Sequence, residues 1–599
     1  MEANRFSKKI KKHDEKILEY SKRCNLFSIF RLITMISSIY LTYRVLKLNF
    51  NKAYFLVLLL LYMAFIFLMR IHRRTKERLN FSKEIIEINK RYLSRINGKW
   101  TEFKDIGDEF IDEAHRYSSD LDIFGEKSLF QMINITNTKE GRESLAKSLM
   151  NPSYKKEEIV LRQEAIKELH DKLYLCEEME YITRKHKDKL NKSERLIKYG
   201  EDSEVLIKSK ILNTLIYTLP LITVPLGAFI LLLKLQSLYN LIPIIIIIQI
   251  SIWGINFMKL NNILGELGLF KYNIDTYVHM LKLIEKEEFK SQKLKSIKSD
   301  LFSEKNSALI AIKKLDNTFE KVNLRYNGLL YLGLNALLLW DYQCVFSLEA
   351  WKRQYGCEIR KWLYHIGEVE SLMSLSVLTH IEEDITFPKI NSEGKLAVNA
   401  KKLGHPLING KDRIDNDVSM DNKIFIITGS NMSGKTTFLR TIGINLVLAY
   451  SGAPVFAREM TCSILDIFTS MRISDDLKNG ISTFYAELIR IRDIIKNSND
   501  DKEMIFLIDE IFRGTNSMDR ILGAKNVLLN LNNEKIIGAI TTHDLELCEL
   551  DRYNRINNYH FSEYYKDDKI YFDYKIKDGK STTTNAKYLM KIVGINIVE

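Results

Sequence analysis

Residues 427–440, ITGSNMSGKTTFLR, fix more of this chain's fold than any other stretch. An apolar run at 424–427 precedes them and reads as a short buried strand, and the run 437–450 that follows has the pattern of a helix. Between the two, Gly429, Gly434, Lys435 and Thr436 fit G-x-x-x-x-G-K-[ST], in the strand-to-helix setting that motif needs. The glycines let successive backbone N–H groups curl around an anion, and the helix turns its positive end towards it. Lys435 then reaches the outer phosphates of a nucleotide and Thr436 offers its hydroxyl to Mg²⁺, with Ser430, Asn431, Met432, Ser433 and Thr437 completing the loop. The expectation is an α/β nucleotide-binding domain at the carboxyl end.

Three further stretches fit such a site. In MIFLIDEIFRGTN, residues 504–516, an apolar strand ends in Asp509 and Glu510. In that arrangement the first acid organises Mg²⁺ and the second polarises water for attack on the terminal phosphate of ATP. Another strand, 536–540, runs into Thr541, Thr542, His543 and Asp544, which places His543 to sense or bond that phosphate. Between them lies SDDLKNGISTFYAEL, residues 474–488, where Ser482 and Thr483 precede a helix, so that either hydroxyl is suited to cap it. A hydroxyl-bearing helix start is also an anion site. One chain's own loop has no need of it, so the economical reading is that it completes the nucleotide site of a second subunit.

The rest of the chain reads as helical. Its 599 residues exceed a single core and imply several domains. Seven prolines agree with mostly helical architecture, and six cysteines without CxxC spacing point to a reducing compartment and no structural zinc. A net charge of +13 suits an anionic partner, nucleic acid or a lipid surface. Residues 1–80 combine a basic tail with apolar runs at 27–46 and 53–69, followed by Arg70, Arg73, Arg74, Lys76 and Arg78. Basic flanks at both outer ends of a membrane hairpin place them in the cytoplasm. A second hairpin is expected at 211–233 and 235–258, each run uncharged and long enough to cross a bilayer. Four crossings leave both ends and the polar mass on the cytoplasmic side. Residues 81–209 and 259–395 carry charged helical patterns, and the Lys/Glu run 282–298 reads as a solvated face. The apolar run 328–340, too short for a crossing, is expected to be a buried helix continuing past Cys344 into the nucleotide domain, 396–599.

Taken together, GSNMSGKTTFLRTIG, SDDLKNGISTFYAE, FLIDEIFRGTN and TTHD resemble the ATPase domain of the MutS mismatch-repair family. Asn431 and Met432 separate the loop from transporter ATPases, as does DDL…G.STF in place of LSGGQ. Upstream, LGHPL at 403–407 with Asn416-Asp417 resembles the entry into that domain, and DLDIFGEKSLFQMINITNTKEGRESLAKSLMNP at 120–152 resembles the start of the family's helical core. The resemblance implies an ABC-type, MutS-like P-loop fold, with Lys435, Thr436, Asp509, Glu510 and His543 in the roles given above. It implies that Asn431 bonds near the phosphates on closure and that Ser482 and Thr483 reach the nucleotide of the other protomer in a homodimer. Two departures stand out. The first 80 residues hold a basic tail and an apolar hairpin where the family has its Phe-x-Glu mismatch reader, and the family's longer carboxyl-terminal dimerisation tail is expected to be absent or reduced to NAKYLMKIVGINIVE. The expected function is a dimeric ATPase coupled to DNA binding, nominally in mismatch repair. The alternative is a membrane-anchored ATPase switch acting on membrane or protein partners. An export pump fits poorly, because four spans offer little pathway.

Overall fold

Strands in the carboxyl-terminal part arise where the chain is continuously apolar and rich in β-branched residues, the pattern of strands buried on both faces. In the computed structural model, which describes residues 2–47, 52–185, 193–202, 210–268, 271–304, 306–391, 394–472, 483–498, 502–512, 515–566 and 569–581, the chain forms two compact units. One comprises Met1–Asn134, Pro152–Ile159 and Ser376–Glu599; the other comprises Ile135–Asn151 and Val160–Leu375.

Among the described residues the first unit holds ten strands: β1 (Lys389–Asn391), β2 (Ala397–Leu403), β3 (Asn416–Asp421), β4 (Ile424–Thr428), β5 (Glu459–Ser463), β6 (Asp466–Ser470), β7 (Met504–Asp509), β8 (Ile536–Thr542), β9 (Ile556–Lys566) and β10 (Lys569–Asp578). They form a four-stranded sheet, β1-β5-β2-β3, and a six-stranded sheet, β10-β9-β4-β8-β7-β6. The larger sheet is parallel from β9 through β6, and β10 closes its edge antiparallel to β9. Every residue of β4, β7 and β8 is buried. Their carboxyl ends therefore line up, which brings the loops after β4, β7 and β8 together where ligands bind in such sheets. The helix Lys435–Tyr450 lies close against this sheet: a Cβ on Gly443 would fall 3.1 Å from a Leu507 methyl and 2.7 Å from one of Leu121.

The same unit carries two long helices, α1 (Glu2–Lys47) and α2 (Lys52–Ile96). Phe6 stacks on Tyr92 at 4.8 Å, and Arg31 hydrogen-bonds His72 at 2.8 Å, so the pair runs antiparallel. The root of α2 is fixed, since Arg95 donates to the carbonyls of Met132 (2.6 Å) and Asn134 (3.1 Å) and Ile85, Ile86 and Ile88 are buried. Towards the joined ends the surface is apolar and exposed, with Leu32, Ile36 and Ile39 on α1 and Phe55, Leu59, Met63 and Phe67 on α2. Both helices are long and apolar enough to cross a membrane.

In the second unit the usual arrangement of polar outside and apolar inside is reversed over three helices. Along Lys210–Leu232, Leu241–Ile255 and Gly328–Leu338 many of the large apolar residues face outward, as at Leu221 (74% exposed) and Leu329 (88%), while Gln249 and Asn335 are 0% exposed together with Ile216 and Ile230. Inside, Asp341 accepts from Tyr331 Oη (2.8 Å) and Trp253 Nε1 (3.0 Å) and lies 3.3 Å from Arg325 Nε. Two expectations are corrected here. The run 235–258 is not one helix: it is α-helical from Leu241 to Ile255 and then bends by 62° into Phe257–Gly265. The run 328–340 is not a buried helix continuing past Cys344. Leu329, Leu330, Leu332 and Leu337 are exposed while Asn335 is buried, and the chain breaks at the buried Leu339, in the left-handed region at φ 50°, before turning by 76°. Hydrophobicity sets how strongly a face avoids water; it does not say whether protein or another apolar phase covers it.

Glu370, on the helix Ile359–Ser376 and clear of the apolar runs, is fully buried and accepts hydrogen bonds from Thr138 Oγ1 and the backbone N–H of Asn137. Burial pushes its carboxyl up to about 7, outweighing those hydrogen bonds, with Glu140 adding to the rise. A folded-state value above the ordinary 4.5 means that the stabilisation is complete below pH 4.5 and is lost as pH rises through about 7. Thermal melts of the full chain between pH 5 and 8 should lose this dependence in Glu370→Gln, each unit of displacement being worth about 1.4 kcal/mol; an unchanged pH profile would contradict it.

Candidate active site

The phosphate loop leaves β4 at Thr428 and turns through Gly429 (φ 150°), Met432 (φ 68°) and Gly434 (φ 104°) before the helix starts at Lys435. Gly429 sits in a tight corner, where a Cβ would meet the carbonyl oxygen of Phe561 at 2.9 Å and Ser433 Oγ at 3.0 Å. Met432 is non-glycine in the left-handed region and largely exposed, a strain that is found at functional sites. Lys435 is buried, and its ammonium donates to the carbonyls of Gly429 and Ser430, both at 2.9 Å. Those carbonyls hold the cation at the mouth of the loop, where phosphate oxygens are the stronger acceptors.

Asp509 ends β7 as a buried carboxylate held from two sides. Thr436 Oγ1 donates to its Oδ2 (2.8 Å) and Thr541 Oγ1 to its Oδ1 (2.5 Å). Parallel pairing of β7 with β8 sets Asp509 opposite Thr541 in register, so the clamp follows from strand alignment. Glu510 follows at φ 49°, again in the left-handed region, and its N–H donates to Thr541 Oγ1 (3.0 Å). His543 Nε2 lies 2.8 Å from Glu510 Oε1 and 2.9 Å from Asn431 Oδ1. A carboxylate oxygen only accepts, so the contact with Glu510 is a hydrogen bond in the tautomer protonated at Nε2. Lys435 Nζ stands 3.5 Å from His543 Nε2 and 4.0 Å from Glu510 Oε1. Lys435, Thr436, Asp509, Glu510, His543 and Asn431 are thus gathered into one cluster. Ser430 is turned aside, its hydroxyl donating to the buried Glu563 (2.8 Å). Thr437 lines an adjacent cavity. Thr483 opens the helix Thr483–Ser498, and Ser482 lies outside the described residues.

That cavity, of about 370 Å³, lies beside Gly434 and is lined by His405, Arg413, Phe438, Phe561 and Tyr574. Aromatic walls with a few polar groups suit a flat heterocycle. His405 is buried, and burial followed by the charges of Arg440 and Arg413 lowers it to about 4, so its imidazole is neutral. The N–H of Leu407 donates to its Nδ1 (3.2 Å). Sequence reasoning missed Thr541 as a clamp and this cavity altogether. It also missed Glu487, a buried side chain on Thr483–Ser498 whose Oε1 accepts the backbone N–H of Phe512 (2.5 Å), two residues beyond Glu510. The Thr541 signal was present, since a threonine at the end of the neighbouring strand is the residue a buried aspartate needs. The cavity walls come from segments far apart in sequence and carry no local signature.

The chain resembles known proteins over this same region. Residues 425–596 match the family model of MutS domain V. The DNA mismatch repair protein MutS of Halothermothrix orenii is 32% identical over 247 residues, covering 40% of this chain and 27% of that protein. The MutS proteins of Aquifex pyrophilus (32% over 239 residues, 38% and 27%) and Lachnoclostridium phytofermentans (30% over 249 residues, 40% and 26%) are similar to a comparable degree. The chain spans about a quarter of the length of these curated relatives. With its phosphate loop and its clamped aspartate, the carboxyl-terminal part of the chain is similar to MutS domain V.

Proposed function

We propose that the protein is a MutS-like ATP hydrolase whose nucleotide cycle, run by a homodimer, is coupled to DNA binding. The observation that carries this reading is the convergence of Lys435, Thr436, Asp509, Glu510 and His543 at the ends of β4, β7 and β8. The cavity beside Gly434 takes the adenine, and Lys435 leaves the loop carbonyls for the outer phosphates. Thr436 and Asp509 are the residues to hold Mg²⁺: a hydroxyl and a carboxylate already 2.8 Å apart form a hard oxygen donor pair of the kind it takes. When bound, the ion supplies neutralisation of phosphate charge. Glu510 orients the attacking water, and the proton on His543 Nε2, now shared between Glu510 and Asn431, is placed to meet the terminal phosphate. Ser482 and Thr483 bring a helix start to the nucleotide of the partner subunit, which makes the site composite.

A second reading, that the same ATPase is anchored in a membrane and acts on membrane or protein partners, is favoured by the outward apolar faces of Lys210–Leu232, Leu241–Ile255 and Gly328–Leu338 around buried Gln249, Asn335 and Asp341. Polar side chains turned inward and leucines turned outward are what a lipid solvent selects. The basic residues after α2's apolar stretch then keep the ATPase on the cytoplasmic side.

Glu510→Gln should retain nucleotide while steady hydrolysis falls by about 10²–10⁴-fold, the usual weight of a general base. Turnover at the wild-type rate in that variant would remove Glu510 from the mechanism. Detergent-purified full chain should bind DNA more tightly at low salt, the slope reporting the number of phosphates contacted. Titrations with matched, mismatched and branched duplexes, with and without ATP, separate the two readings, because no binding even at low salt would leave only the membrane-anchored switch.

A further inference from the structure

Residues 120–122, Asp-Leu-Asp, lie outside the nucleotide site in sequence yet grip three of its supports. Asp120 is buried, and its Oδ2 accepts from Thr469 Oγ1 (2.6 Å), Arg490 Nη2 (3.0 Å) and the N–H of Met471 (3.2 Å), while Oδ1 accepts the N–H of Arg472 (2.8 Å). Thr469 belongs to β6, Met471 and Arg472 follow it directly, and Arg490 sits on the helix Thr483–Ser498. One carboxylate thus holds both flanks of residues 473–482. Leu121, also buried, packs on the phosphate-loop helix at Gly443, where a Cβ would fall 2.7 Å from a Leu121 methyl. Asp122, held at φ 52°, accepts from Arg440 Nη1 on that helix (3.0 Å) and from Arg472 Nη2 (3.2 Å). Arg440 sits four residues after Thr436, so the ion pair bears on the helix turn next to the phosphate loop.

We propose that Asp120, Leu121 and Asp122 form a positioning element of the ATP site, locking the phosphate-loop helix to the strand and helix that flank residues 473–482, so that turnover is governed by the amino-terminal segment. The proposal rests on the ATPase reading above. The tripeptide is tied in turn to the root of α2: the carbonyl of Asp122 accepts the N–H of Leu129 (2.9 Å), that of Ile123 accepts the N–H of Phe130 (3.0 Å), and Arg95 of α2 holds the carbonyls of Met132 and Asn134. Packed contacts therefore run without a gap from the apolar hairpin to Arg440 and Arg472. Charge-assisted hydrogen bonds to a buried carboxylate are the strong kind, and their loss shifts geometry more than it changes contacts to nucleotide.

The test uses full-length protein in detergent and compares Asp122→Asn, Arg472→Ala and the two combined. In each, kcat and KM for ATP, nucleotide affinity in the Glu510→Gln background, and Tm are measured. The expected result is a fall in kcat of about tenfold, with KM and affinity within twofold of wild type. The combined variant should be no worse than the weaker single one, because the two side chains act through each other. Arg472→Lys, which keeps the charge but not the planar fork, should recover part of the loss. Arg472 has a half-exposed side chain, so its removal tests the proposal even if Asp122→Asn fails to fold. Unchanged kcat in Arg472→Ala, a rise in KM alone, or losses that multiply in the combined variant would overturn the proposal. Absence of hydrolysis in the wild-type chain would instead overturn the ATPase reading.

Discussion

The carboxylate of Asp509, held between the hydroxyls of Thr436 and Thr541, joins the three parts of the nucleotide site. Thr436 comes from the phosphate-loop helix, Asp509 from β7 and Thr541 from β8, so the clamp exists only when β4, β8 and β7 lie side by side in register. The strands are fully buried, and that burial supplies the alignment. Desolvating a carboxylate is costly unless it is hydrogen-bonded, and here two hydroxyls meet that cost before any ligand arrives. The site is preorganised in its acidic half, while its cationic half, Lys435, rests on the loop carbonyls.

A second constraint acts on the helices outside this sheet. The bundle around Asp341 turns polar groups inside and leaves many of its leucines and isoleucines outside, the reverse of the usual arrangement in water. In the other unit, α1 and α2 likewise have exposed apolar residues towards their joined ends, while the root of α2 is packed. The candidate nucleotide site and this apolar surface belong to one polypeptide, and the Asp120–Asp122 contacts lie on the route between that site and α2.

How much of this was legible in the sequence depended on how local each feature is. The phosphate loop, the Asp509–Glu510 pair and His543 are each set by a few consecutive residues at a strand end, where backbone geometry dictates residue type, and the structure brings them together. Glu487 and the cavity lined by His405, Phe438 and Tyr574 are assembled by tertiary packing, so no spacing announces them. The run 328–340 was misread for a different reason. Its composition says that it avoids water, and only the position of Asn335 on the inner face shows which side the protein occupies.

The central proposal is that this site hydrolyses ATP, and the membrane-anchored reading adds that it does so in a chain held by its apolar helices in a membrane. The most direct measurement expresses the full chain and its Glu510→Gln variant at equal levels, separates washed membranes from the soluble fraction, and determines Mg²⁺-dependent ATP turnover in each. The account predicts a Glu510-dependent turnover in the membrane fraction and none in the soluble fraction. Glu510-dependent turnover recovered in the soluble fraction, with no difference between the two membrane preparations, would contradict it.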